Sequence, residues 1–326
     1  MDFKFTGLPA LFKRFPDDAT AREYYEQERW GGTPICPFCG SDKWYKLNDG
    51  KTYKCGNKEC YKKYTVTVGT FFEGSHIKLN IWFAAIYLIS AHKKGISSHQ
   101  LAKDLNVTQK TAWFMLHRIR GMVQDKAPVK LKGVIEADET YMSRKYASDF
   151  QGLSAYELAY KLNSPQNNKG VVMGMAERGG KVIVRAFDNN NGENIQNAVK
   201  NYVEKHSWLM TDESNLYKSG LEKYKHETVN HSKEEWVKGD ITTNRVENFW
   251  SVMRRGIYGI YHQVSYKHLH RYCDEFSFRY NNRDIKDNSR FSLSLRHTQG
   301  RLTYKKLIQD APPKEPTYQE PKTEWD

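Results

Sequence analysis

Three acidic residues stand where apolar segments end or turn, and their types define the chemistry to consider. The run Gly133-Val-Ile-Glu-Ala-Asp138-Glu139-Thr-Tyr141 opens on β-branched residues and reaches adjacent carboxylates. A second apolar run, Trp208-Leu-Met-Thr211, ends on Asp212, and Glu247 lies inside a segment with helical periodicity. A strand that carries an acid out of its apolar body must place it in a site or bear its desolvation. Two strand-end aspartates and one helix glutamate match the donor set of a two-metal site. Hard cations such as Mg²⁺ or Mn²⁺ take carboxylate oxygens, and a pair of them clamps the attacking and leaving oxygens of an in-line phosphoryl displacement. Taken alone, Glu247 reads more readily as a surface glutamate beside a basic neighbour; only the company of Asp138 and Asp212 makes it a ligand.

A second constellation is made of sulfur. Cys36-Pro-Phe-Cys39 and Cys55-Gly-Asn-Lys-Glu-Cys60 each offer two thiolates from one turn. Four soft ligands in two knuckles favour tetrahedral, structural Zn²⁺. Gly40 and Gly56 follow a cysteine in each pair, where tight knuckles need backbone freedom. Trp44, Tyr45, Tyr53, Tyr64, Val66 and Val68 flank the knuckles as in a small zinc ribbon, which either touches DNA or protein or braces its neighbours. The fifth cysteine, Cys273, falls at a core position of a later helix and reads as a buried free thiol.

Composition narrows the partner. Fifty-one Lys and Arg against 38 Asp and Glu give the 326 residues a net charge of +13, a field that favours a polyanion. No apolar run approaches the roughly 18 residues of a membrane span. The N-terminal residues lack the layout of a signal peptide, and clustered cysteines fit a reducing compartment, so an intracellular protein is expected.

The elements that must position these groups follow in order. Residues 1–30 form a helical lead-in, with a start at Pro16-Asp17-Asp18 and a helix from Ala21 to Trp30. Residues 31–74 hold the ribbon. Residues 75–124 read as a helix-turn-helix: Ser97 or Ser98 caps a short helix, Leu105-Asn106-Val107 turns, and Thr108 caps the next. In that second helix Ala112, Met115, Leu116 and Ile119 face inward. Lys110, Trp113, His117 and Arg120 fall on the other side, the basic and aromatic face that a major-groove reader presents to double-stranded DNA. The alternative is a helical hairpin with a solvated face.

After a linker (125–132), a core domain over 130–300 begins with the Asp138 strand. Residues 143–169 read as an insertion or loop. Val171–Ala176 and Val182–Phe187 flank Arg178-Gly179-Gly180 as a hairpin. A helix over 194–204 precedes the Asp212 strand. Strand, hairpin, helix, strand and a later acid-bearing helix make an α/β layout of the ribonuclease H-like kind. In the last helix Val246, Phe249, Trp250, Met253 and Ile257 form the apolar face, whereas Glu247, Ser251 and Arg254 share another. Residues 265–282 read as a further helix with Leu269, Tyr272, Cys273 and Phe276 inside, and 301–326 as a flexible tail.

The chain resembles bacterial insertion-sequence transposases of the DDE type with an N-terminal zinc ribbon, the ISXO-like group. The resemblance rests on Trp30 through Cys39-Gly40-Ser41, Gly69-Thr70-Phe71, Glu136-Ala-Asp138-Glu139-Thr-Tyr141 and Asn230-His231. It rests most on Thr243-Asn-Arg-Val-Glu247-Asn-Phe-Trp250-Ser-Val-Met-Arg254-Arg-Gly256, continuing through Tyr272 to Asn281-Asn-Arg283. It implies a bacterial cytoplasmic, nucleoid-associated enzyme that binds the terminal inverted repeats of an insertion sequence, cuts there and joins the 3′-hydroxyl to target DNA. It further implies Asp138, Asp212 and Glu247 as catalytic acids with two Mg²⁺ or Mn²⁺, Arg254 as the basic group one face-repeat beyond Glu247, His231 as a lesser site contact, and a homodimer or higher oligomer on DNA. Two positions depart from the pattern: Arg254 where Lys is usual, and Ser143-Arg144 where a glycine pair is expected. A domesticated DNA-binding regulator and a structure-specific nuclease on the same fold are the competing readings.

Overall fold

The computed structural model describes residues 5–144, 154–163, 169–187, 191–217, 219–229 and 239–309. His231, parts of the 143–169 segment (145–153 and 164–168) and residues 310–326 of the expected tail lie outside the described residues. The chain forms two compact units, one of residues up to Gln124 together with Asn282–Gln309, the other starting at Asp125 and running to Asn281.

The first unit opens with helices α1 (Gly7–Arg14) and α2 (Asp18–Trp30). Asp17 caps α2 by accepting the Thr20 N–H at 2.8 Å, as the Pro16-Asp17-Asp18 signal requires. A small antiparallel sheet follows, β1 (Trp44–Lys46), β2 (Tyr53–Cys55) and β3 (Lys63–Tyr64) in that order. Then come α3 (Leu79–Ala91), α4 (Ser98–Leu105) and α5 (Gln109–Met122). Almost all of α3 is buried, because α1, α2, α4 and α5 all pack on it. Ser97 caps α4 and Thr108 caps α5, each accepting a backbone N–H three residues on, and Asn106 makes the intervening turn at φ +51°.

The second unit contains β4 (Val134–Arg144), α6 (Ala155–Asn163), β5 (Lys169–Glu177), β6 (Val182–Phe187), α7 (Gly192–Tyr202), β7 (Trp208–Asp212), β8 (Lys225–Val229), α8 (Asn244–Gly256) and α9 (Leu269–Asn281). Its strands form one sheet in the order β6-β5-β4-β7-β8, antiparallel from β6 to β4 and parallel from β4 to β8. Strand alternation sorts the layers. Ile135, Ala137, Val171 and Met173 pack against Ile195, Ala198 and Val199 of α7. Met142, Val172 and Val184 pack on the other face against Phe249, Trp250 and Met253 of α8 and Leu269, Cys273 and Phe276 of α9. Cys273 is buried, as expected.

Four details differ from the sequence expectation. First, α6 stands inside the segment read as a loop. Ser154 and Glu157 form a capping box, with the Ser154 N–H on Glu157 at 2.9 Å and the Glu157 N–H on Ser154 Oγ at 3.3 Å. Second, β8 is a polar edge strand with no hydrophobic signature. Third, the core domain ends at Asn281 rather than 300. Residues 282–309 return to the first unit as α10 (Asp287–Arg296) and α11 (Tyr304–Ile308), and α10 packs on α3. Fourth, Ser143, which replaces an expected glycine, holds φ +61° where the β4–β5 register breaks between Met142 and Arg144. That is the backbone conformation a glycine adopts without strain.

Candidate active site and metal centre

Alternation along β4 points Glu136, Asp138 and Thr140 at α8, and α8 answers each with a donor. The Arg245 N–H bonds Glu136 Oε2 at 2.7 Å, Trp250 Nε1 bonds Asp138 Oδ2 at 2.8 Å, and the Arg254 guanidinium bonds Thr140 Oγ1. The first of these closes the helix N-terminus. Thr243, at the cap position, makes no side-chain cap, so the buried Glu136 carboxylate, only 2% exposed, takes an orphan N–H of the first turn. Its other oxygen accepts Arg178 Nε at 2.8 Å. Glu136 thus ties the start of α8, and with it Glu247, to the strand that carries Asp138. Trp250 fits over the sheet because Gly174 lies opposite Asp138; a Cβ on Gly174 would stand 2.7 Å from the indole.

The parallel pairing of β4 with β7 matches Glu136 to Met210, and continuing that register two residues sets Asp212 beside Asp138. Asp212 Oδ1 accepts the Ser214 N–H at 3.0 Å, and Glu247 Oε1 accepts the Thr243 hydroxyl at 2.7 Å. Burial raises the Asp138 carboxyl to about 6; the Trp250 N–H opposes the rise, whereas the charges of Asp212 and Glu247 add to it. Glu139 turns to the opposite face, where its Oε2 accepts the buried Tyr217 hydroxyl at 2.6 Å. Burial pushes Glu139 up to about 7, with Asp212 and Asp138 contributing. Asp138 therefore feels both of the other acids named from the sequence. All three offer hard oxygen donors suited to divalent cations, whose charge would offset their repulsion. Each is tethered to a different neighbour, and among the described residues only the four cysteines form a group close enough to hold an ion without movement.

Those cysteines meet at the ribbon. The Cys36 and Cys60 sulfurs lie 3.8 Å apart, those of Cys39 and Cys55 3.5 Å, and all four within 4.8 Å of one another. These separations exceed any disulfide and approximate the ~3.8 Å edge of a tetrahedron with Zn–S of about 2.3 Å. A backbone N–H at Ser41 draws the Cys39 thiol down to about 7, whereas burial pushes Cys55 up to about 12. The cluster as a whole therefore needs a cation to become thiolate. Gly40 holds φ +73° in the first knuckle, as expected. In the second the left-handed residue is Tyr61, at φ +46°, and Gly56 instead allows close approach to the Lys43 backbone.

The outer face assigned to α5 needs correction. Lys110 is exposed and Trp113 half-buried, but His117 and Arg120 are 0% and 1% exposed. The chain that returns after Asn282 covers their neighbours on α5. Arg118 donates to the Leu302 carbonyl at 3.1 Å, and Tyr304 packs edge-on to Trp113 and Phe114, with Lys110 Nζ 4.8 Å from its ring. Segment 69–73 adds a second cover, since a Cβ at Gly121 would stand 2.6 Å from the Phe71 ring. His117 and Arg120 are interior groups, which leaves Lys110 and the half-buried Trp113 to present a reading face.

Sequence reasoning singled out Asp138, Asp212, Glu247 and Arg254 but not the groups that position them: Glu136, Thr140 and the indole N–H of Trp250. Only one was signalled. An acid two residues before Asp138 on the same strand face needed a partner as much as Asp138 did.

Residues 130–281 match the ISXO2-like transposase domain and residues 16–63 the transposase zinc-ribbon domain. The chain is also 26% identical over 288 residues to an uncharacterized protein in transposable element ISH50 of Halobacterium salinarum, covering 82% of this chain and 92% of that protein. Among the described residues no helix is long and apolar enough to cross a membrane. Over residues 16–63 and 130–281 the chain is thus similar to a transposase zinc ribbon followed by an ISXO2-like transposase domain of the DDE type.

Proposed function

We propose that this protein is a DNA transposase that binds the terminal inverted repeats of its element, cuts at the ends and joins the freed 3′-hydroxyl to target DNA. The observation that carries the reading is the convergence of Asp138, Asp212 and Glu247 on one electrostatic neighbourhood. Asp212 ends β7 and Glu247 sits in the first turn of α8, whereas Asp138 lies in the middle of β4 rather than at its end, because β4 runs on to Arg144. The sheet order, with its central acid-bearing β4, supports a ribonuclease H-like core. The capped pair α4 and α5 around Asn106 supports a helix-turn-helix that holds duplex DNA.

In this mechanism the chain positions rather than attacks. Asp138, Asp212 and Glu247 would hold two Mg²⁺ or Mn²⁺ ions, whose positive charge would stabilise the attacking and leaving oxygens. Trp250 orients Asp138, and Glu136 fixes the turn that bears Glu247. Arg254, exposed and anchored on Thr140, holds a phosphate of the reacting strand. The four cysteines would hold one structural Zn²⁺, which would stabilise the ribbon. Synapsis of two element ends calls for a dimer or larger assembly on DNA.

The test is a joining assay with the protein, Mg²⁺ and a pre-cut inverted-repeat end bearing a 3′-hydroxyl. Joined products are expected. Cutting without joining would indicate a nuclease, and binding without either reaction a regulator.

A further inference from the structure

We propose that the outer face of α8 continues beyond Arg254 into a nucleotide subsite, in which Tyr258 stacks on an unpaired base of the strand whose phosphates Arg254 and Arg255 hold. The proposal rests on the reading of Glu247 as a site acid. At 100° per residue, Glu247, Ser251, Arg254, Arg255 and Tyr258 fall within roughly 100° of arc, and they span about 16 Å along the axis. The opposite side is the buried stripe of Val246, Phe249, Trp250, Met253 and Ile257. Ser251, Arg254 and Arg255 are exposed, and the Tyr258 side chain is 52% exposed although it is large and aromatic.

The backbone changes at this point. From Ile257 to Tyr261 the helix widens into a π-helical segment, a rare form that is frequent at functional sites. It ends at His262, whose φ +57° and ψ −53° lie outside the regions that L residues occupy at ease. Such a conformation persists only where neighbours hold it. Here the Tyr261 hydroxyl bonds the buried Glu275, and its ring packs against Tyr272 at 4.9 Å between centroids. The π segment is thus pinned on its inner side by Tyr261 and turns Tyr258 to solvent.

A lone exposed tyrosine is ordinary surface. Tyr258 differs because it shares a face with two guanidinium groups and with Glu247. Arginine draws phosphate and an aromatic face draws a base. Inside a duplex both faces of a base are already stacked, so the occupant is an unpaired nucleotide at a frayed or cut end.

The test uses the full chain, zinc-replete. A short oligothymidylate carrying one 5-iodouracil is irradiated on the protein and the adduct mapped by peptide sequencing. In parallel, affinity is measured for a blunt duplex and for the same duplex with a three-nucleotide overhang. The adduct is expected at Tyr258, with Tyr258→Ala weakening the overhang duplex about ten-fold and sparing the blunt one, and Tyr258→Phe behaving as the parent. An adduct mapping elsewhere, equal weakening of both duplexes, or unchanged overhang affinity in Tyr258→Ala would overturn the subsite. The reading of Glu247 fails separately, by normal cleavage in Glu247→Gln while the Tyr258 adduct persists.

Discussion

Replacing Asp138 by Asn removes a charge and keeps the shape, so it isolates what the charge does to the fold. Burial, helped by Asp212 and Glu247, raises the Asp138 carboxyl from the ordinary 3.8 to about 6. The native state then holds the proton more tightly than the unfolded chain does. Its contribution to stability is complete below the unfolded pKa and is lost as pH rises through the folded one. The full loss corresponds to about 3 kcal/mol, and linkage puts roughly half of it below pH 5. In zinc-containing buffer without Mg²⁺, the Asp138→Asn protein should therefore be more stable than the parent at pH 8, by about 2–3 kcal/mol. For a domain of this size that is a melting shift of about 4–10 °C in the second unit. At pH 5 roughly half the advantage should remain. Added Mg²⁺ should stabilise the parent and leave the variant nearly unmoved. Melting curves from pH 5 to 8 decide the matter. A variant less stable at pH 8, or an advantage independent of pH, would refute the reasoning that the acids repel across a buried site.

Three further expectations follow from the packing. Glu136→Gln weakens the grip on the Arg245 N–H and on Arg178. It should lower stability by about 1–3 kcal/mol in urea titration and cut DNA cleavage more than about ten-fold with end binding retained; unimpaired cleavage would mean α8 is held by other contacts. Cys39→Ser should reduce bound zinc from one per chain to near zero and remove amide protection from residues 31–72 while β4 to α9 keep theirs, measured by elemental analysis and hydrogen exchange. Lys110→Ala should lower duplex affinity and reduce the salt slope by about one, whereas Arg120→Ala should destabilise the first unit by about 2 kcal/mol and leave the slope alone. A reversed pattern would return Arg120 to the DNA face.

What was legible in the sequence was local. Asp17, Ser97 and Thr108 announce their helices because a cap acts within three residues. The cysteine pairs announce a ribbon because two ligands come from each turn. The acids at 138 and 212 could be read because an acid leaving an apolar strand has few places to go. What stayed hidden depends on chain segments far apart in sequence. His117 and Arg120 carry the types of a solvated helix face, but segment 69–73 and the return of residues 282–309, both distant in sequence, help cover α5. Glu136 signalled a need for a partner, but nothing nearby says that the partner is the first turn of α8. The helix at 155–163 was different: its Ser154-Glu157 box was in plain view, masked by the polar residues around it.

The central claim is that Glu247, which alone would pass for a surface glutamate, completes a site with Asp138 and Asp212. The direct measurement is the rate at which the Glu247→Gln protein joins a pre-cut inverted-repeat end to target DNA in Mg²⁺ or Mn²⁺, with binding of that end and thermal stability recorded on the same preparation. The account predicts joining lost by at least about a thousand-fold, end binding unchanged, and stability unchanged or raised, because a charge-shaped group leaves a cluster of like charges. A surface salt bridge would be worth only about 0–1 kcal/mol and its loss would be nearly silent. Joining at close to the parent rate would contradict the account.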